Sequence, residues 1–185
     1  MTKIDKNIKA RIKKLNDLAV DLRDGNQFNI TRLTIIKKIC KNKDGFDRFS
    51  LHLSEVAHRL EQHPEHKVLI GKSLQSIQLF ISDPSEENIK LIHETFIELR
   101  DIQNEVKQIR GWPVRMINCT NLLIVEHAVE CVSTTYLEHA SKVAYQMART
   151  FAERYDPGKF EGLVEKSAPL VQEMADFWID YYDLK

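Results

Sequence analysis

Apolar side chains recur along this chain at steps of three and four residues, and each run of such steps outlines a helix with one buried face. From about Lys3 to Arg23 the stripe is Ile4, Ile8, Ile12, Leu15, Leu18 (or Ala19) and Leu22, ended by Asp24-Gly25-Asn26. A second helix is predicted from about Thr31 to Lys41, closed by the turn Asn42-Lys43-Asp44-Gly45, whose glycine can take a positive φ. A third is expected from about Phe46 to Gln62. Pro64 then favours a fresh start, since proline suits the first turn of a helix and not its interior. The fourth, over roughly 65–81, carries Ile70, Leu74, Ile77 and Ile81 on one face.

Asp83-Pro84-Ser85-Glu86-Glu87 reads as a start signal for a fifth helix, with Asp83 as the cap and Pro84 at the first helical position. It runs to about Arg110, where Gly111 stops it and Trp112-Pro113 forces extension. One very long helix is expected from about Asn121 to Tyr155, burying Leu122, Val125, Val129, Val132, Tyr136, Ala140, Val143, Met147 and Phe151. Its weak point is Val132-Ser133-Thr134-Thr135, because β-branched residues are poor helix formers. One or two last helices follow, with Pro169 in the first turn of the final one. Only 6 Gly and 5 Pro punctuate 185 residues, which disfavours a turn-rich β fold. The expectation is an all-α, single-domain bundle of about seven helices over residues 1–185, with one long central helix and a weak subdivision near 82–85.

Composition adds class and compartment. An apolar share of 43% and a charged share of 29% describe a soluble folded chain. A core of this size buries roughly 70% of the unfolded surface, so no disulfide or metal staple is required. Cys40, Cys119 and Cys131 are odd in number and form no Cys-x-x-Cys pair, which reads as reduced thiols in an intracellular, by default cytoplasmic, protein. The first residues lack the apolar stretch of a secretory signal, and no run reaches the roughly 18 apolar residues of a membrane span. No membrane partner is expected.

The zero net charge conceals a division. Residues 1–43 hold twelve Lys or Arg against Asp5, Asp17, Asp21 and Asp24, a balance of +8, so the remainder stands at −8. The last thirty residues carry −4 of that, and opposite fields of this kind favour the chain ends lying together. Phe177, Trp178 and Tyr181 are candidates for the apolar part of that contact.

Three stretches invite a chemical reading. Residues 54–67, Ser-Glu-Val-Ala-His-Arg-Leu-Glu-Gln-His-Pro-Glu-His-Lys, pair Glu55 with His58 at the spacing used by carboxylate-bridged metal bundles. On a wheel of about 100° per residue, however, both point away from Phe49, Leu53, Val56 and Leu60, and His63 and His66 belong to the Pro64 junction. No metal and no other cofactor is expected. Glu126 and His139 sit at the edge of the long helix's buried face, and Glu130 can pair with Glu126; interhelical hydrogen bonds are the expected role and acid–base work the less favoured one. Cys131 reads as a plain core thiol; Arg110 and Arg115 flank Trp112 and Pro113, where helix termination with a packed Trp is the expected reading and an anion clamp the less favoured one.

The chain has no nucleotide-binding glycine loop, nucleophile elbow or His-Glu-x-x-His helix, which argues against the familiar nucleotide-binding and hydrolase classes. The expected function is non-enzymatic: a helical module that binds another protein through charged faces. Its candidate binding residues are Lys6, Lys9, Lys13, Lys14, Lys37, Lys38, Lys41, Arg110 and Arg115. The first alternative is a nucleic-acid-associated protein using the basic N-terminal region. That region has a helix–turn–helix outline, but few aromatic residues for base stacking. The second is a metal-dependent bundle enzyme built around Glu126, Glu130 and His139.

Overall fold

The apolar stripes fold as helices, and among the described residues there is no strand. The computed structural model describes the backbone of residues 6–25, 30–110, 120–155 and 164–184, and the side chains of 6–25, 31–105, 120–152 and 167–184. The elements are α1 (Lys6–Arg23), a 3-10 helix (Ile30–Lys38), α2 (Lys43–Leu60), α3 (Pro64–Ser82), α4 (Glu86–Arg110), α5 (Thr120–Ser133), α6 (Leu137–Tyr155) and α7 (Val164–Tyr181).

The short α5 is the hub. It packs on α2, α3, α4 and α6, and nine of its residues are buried, from Thr120 to Val132. α4 packs on α3 and α5 at one flank; α1 packs on α7 and the 3-10 helix at another. One apolar core runs through the bundle from Ile8 to Trp178. The two chain ends do lie together, α1 against α7, although the ring contacts of Phe177 and Trp178 are made with Phe46, Phe49 and His52 of α2. Among the described residues no helix is long and apolar enough to cross a membrane.

Local chemistry explains where the elements depart from the periodicity. Leu33, Ile36 and Ile39 are fully buried at a strict step of three, the period of a 3-10 helix, so the segment winds tighter than the α-helix expected over 31–41. Asn42 caps α2 by accepting from the Gly45 N–H at 2.8 Å, which starts that helix three residues earlier than expected. Gly45 is not needed for a positive φ. It is needed for space, because a Cβ there would stand 2.3 Å from Cys40 Sγ and 2.9 Å from Asn42 Oδ1. Gly25, with φ 78°, uses left-handed backbone just past the end of α1.

The segment 121–155 is two helices rather than one. Thr134, Thr135 and Tyr136 separate α5 from α6, and the two helices fold back to pack on each other. Thr134 Oγ1 accepts from the Tyr136 N–H at 3.3 Å, a hydroxyl competing with the helix for a backbone donor. Tyr136, expected in the core, is therefore 76% exposed. Among the described residues the longest helix is α4, and it lies at the flank. Pro169 is also displaced from its expected place, sitting inside α7 beyond the first turn.

Candidate functional site: a basic groove between α1 and the 3-10 helix

Arg11, Lys14 and Asp17 of α1 face Arg32, Thr34, Ile35, Lys37 and Lys38 of the 3-10 helix across an open groove of about 610 Å³. Among the described residues five cations and one acid line it. The groove exists because Leu33, Ile36 and Ile39 turn one side of the 3-10 helix into the core, leaving Arg32, Thr34 and Lys38 outward. α1 does the same with its stripe Ile8, Ile12, Leu15 and Leu22, which leaves Arg11 and Lys14 on the flank toward the 3-10 helix.

Several of these cations are held in place. Arg11 Nη1 donates to the Lys38 carbonyl, bridging the two walls. Arg32 donates to Asp21 of α1 at 2.6 Å. The Lys37 ammonium lies 4.2 Å from the Tyr145 ring centroid of α6, which anchors the half-buried side chain without neutralising it. Lys14 and Lys38 are exposed and make no ion pair among the described residues. The groove thus offers two free ammonium groups beside three fixed cations, on the partly buried Ile35.

The structure gathers Lys14, Lys37 and Lys38 into this site and leaves other expected residues outside it. Lys6, Lys9 and Lys13 are exposed on α1 but do not line the groove, and Lys13 pairs with Asp17 at 2.8 Å. Lys41 is exposed beyond the end of the 3-10 helix. Arg115 and the side chain of Arg110 lie outside the described residues, as do Trp112 and Cys119. Arg11 and Arg32 are not among the residues expected from the sequence. The available signal was Arg11's position, only about 50° from the buried direction of its helix, too close to the core to point freely into water.

The histidine-rich stretch spans the end of α2 and the start of α3. Glu55 is exposed, but His58 is half-buried, with Nε2 3.6 Å from where a Cβ on Gly71 of α3 would stand. The wheel misjudged His58 because Ser50, Ser54 and Ala57 are buried as well, so the covered face of α2 is far wider than its apolar stripe. Small residues let neighbouring helices close in on that side. The His63 and His66 rings lie 4.4 Å apart, and burial lowers the His66 pKa, with the His63 charge adding to it. Between them and α5 stands Glu61, which is buried. Its carboxylate accepts from the Gln62 and His63 N–H groups and from Asn121 Nδ2, each at 2.9 Å.

Glu126 and Glu130 face different neighbours. Glu126 accepts from Gln103 of α4 at 2.6 Å and lies 3.9 Å from Arg100, whereas Glu130 meets His139 of α6 at 3.0 Å and His127 at 3.4 Å. The His127 contact, partly opposed by burial, holds the Glu130 carboxyl below its ordinary pKa. Burial pushes the Cys131 thiol up to about 12, so it is a protonated core group. Among the described residues no group of three or more His, Cys, Asp or Glu is arranged to hold a metal ion. Comparison with protein-family models, with curated proteins and with solved structures finds no match to this chain.

Proposed function

We propose that this chain is a non-enzymatic binding module whose basic groove takes an acidic segment of a protein partner. The observation that carries this reading is the convergence of Lys14 and Lys38, exposed and without ion pairs among the described residues, with Arg11, Arg32 and Lys37 in one concavity. Fixed guanidiniums suit carboxylates because they present paired donors, and the mobile ammonium groups add charge without demanding one geometry. Ile35 supplies an apolar contact that a peptide side chain can cover.

Nucleic acid fits the groove less well. A duplex is a continuous polyanion and would extend past the groove onto a chain whose remaining residues stand at −8. Among the described residues no aromatic side chain lines the groove for base stacking. The test is a fluorescence-anisotropy titration with a labelled Glu-rich peptide carrying one apolar residue per turn, beside a DNA duplex of equal charge. The peptide is expected to bind better, and Lys14→Glu with Lys38→Glu to weaken it by about tenfold or more. Preferred duplex binding, or peptide binding indifferent to the charge reversal, overturns the reading.

A further inference from the structure

The chain carries its own acidic counterpart to the groove. On α4, Glu87, Glu94, Glu98, Asp101 and Glu105 follow one another at steps of seven, four, three and four residues. On a wheel of about 100° per residue they fall within an arc of roughly 60°. Eighteen residues separate the first from the last, so the stripe is about 27 Å long at 1.5 Å per residue. All five are exposed. Lys90 lies 3.7 Å from Glu94 and Lys72 lies 3.9 Å from Glu98, but Glu87, Asp101 and Glu105 make no ion pair among the described residues. Beside the stripe Ile97 is 47% exposed, outward on a helix whose buried residues Ile92, Thr95, Leu99 and Gln103 face the other way.

This stripe cannot reach the groove of its own molecule. α4 packs on α3 and α5, whereas the groove's walls pack on α6 and α7. The protein is therefore electrically polar, with a basic groove on one flank and an acidic, partly apolar helix on another. We propose that the acidic stripe of α4 docks in the basic groove of a second copy of this chain. This inference rests on the groove taking acidic segments, and it names the segment. The contact joins two different surfaces, so it leaves a free groove at one end and a free stripe at the other, and association continues into short chains of copies rather than stopping at two. Exposed charges give it speed and register, and screening removes it.

Light scattering on concentrated protein tests it. In low salt the weight-average mass is expected to exceed the 21.6 kDa of one chain, and to return to that value in about 0.5 M NaCl, where the Debye length is ~4 Å. Two variants then assign the surfaces: Lys14→Glu with Lys38→Glu reverses the groove, and Glu87→Lys with Asp101→Lys reverses the stripe. All four positions are exposed and outside the core, so both variants should fold, with helical dichroism as the check. Each variant alone is expected to stay at the mass of one chain, and an equimolar mixture to associate again. A monomeric wild type in low salt, self-association surviving in either variant, or a mixture that does not recover would each overturn the proposal. Titrating the stripe-reversed variant with the acidic peptide separates the two claims. Peptide binding there beside a monomeric wild type sinks self-association and leaves the groove reading standing; no peptide binding removes the groove reading itself.

Discussion

At the scale of single residues the determining groups are polar ones inside the bundle, and Glu61 is the clearest. Burial alone would raise its pKa, but hydrogen bonds from His63 N, Asn121 Nδ2 and Gln62 N outweigh that and hold it below the ordinary glutamate value. It joins the end of α2 to the starts of α3 and α5. Glu61→Ala leaves the fully buried Asn121 amide without that acceptor and is expected to cost about 1–3 kcal/mol. Urea unfolding measures it, and a loss below about 0.5 kcal/mol would show that water replaces the carboxylate. Asp47 behaves in the opposite sense. Burial raises its pKa to about 6 although Lys43 donates to it at 2.6 Å. Between its ordinary value of 3.8 and about 6 the folded state holds a proton that the unfolded state has released. Its contribution to stability therefore falls as pH rises through that window. Asp47→Asn removes the titration, so its stability relative to wild type should improve steadily from pH ~4 to ~6 and then level off. Whatever constant offset the loss of the Lys43 pair introduces, a difference that does not vary with pH refutes the account.

Elements follow from competition between periodicity and local chemistry. Stripes at steps of three and four placed α1, α2, α3 and α4 to within a few residues, because tertiary burial and local propensity agree there. The 3-10 helix and the α5–α6 corner were misread for related reasons. A step of three is shared by both helix types, and only the absence of a fourth-position apolar partner to Leu33 separates them. The corner depends on Thr134 Oγ1 outcompeting a backbone carbonyl, which no apolar pattern records. Lys14, Lys37 and Lys38 of the groove were legible as lysines of the basic N-terminal region. Arg11, Arg32 and the acidic stripe of α4 were not, since they acquire meaning only once the two walls, or the outer face of α4, are known. Pro169 offers a test at this scale. It lies inside α7 and is exposed, so it removes a helical hydrogen bond without filling the core. Pro169→Ala should raise stability by about 1–3 kcal/mol, read as a higher Tm. An unchanged or lower Tm would mean that the proline's fixed φ matters more to α7 than the bond it forfeits.

For the whole molecule the question is what holds the chain ends together. Opposite charge balances at the two ends led to the expectation that they meet, and they do, but the contact is of another kind. Two polar contacts between α1 and α7 are uncharged on at least one side: Gln172 Nε2 donates to Asn16 at 2.8 Å, and Arg23 donates to Gln172 at 3.1 Å. Glu173 of α7 faces α2 instead, accepting from Arg59 at 2.6 Å. What α1 presents to its neighbours is the buried stripe Ile8, Ile12, Leu15, Leu18, Ala19 and Leu22, opposite a buried face of α7 that includes Val171, Met174 and Ala175. Leu15 is fully buried, so Leu15→Ala should cost about 2–5 kcal/mol, the range for emptying a leucine site in a core. Lys13→Gln, on the exposed side, should stay within about 0.5 kcal/mol. The decisive comparison repeats both in about 0.05 M and 0.5 M NaCl, because screening over ~4 Å suppresses surface fields but leaves apolar contacts intact. The Leu15→Ala cost should be the same at both salts. If it shrinks markedly in high salt, charge rather than the aliphatic stripe closes the bundle, and the packing argument fails at its most important joint.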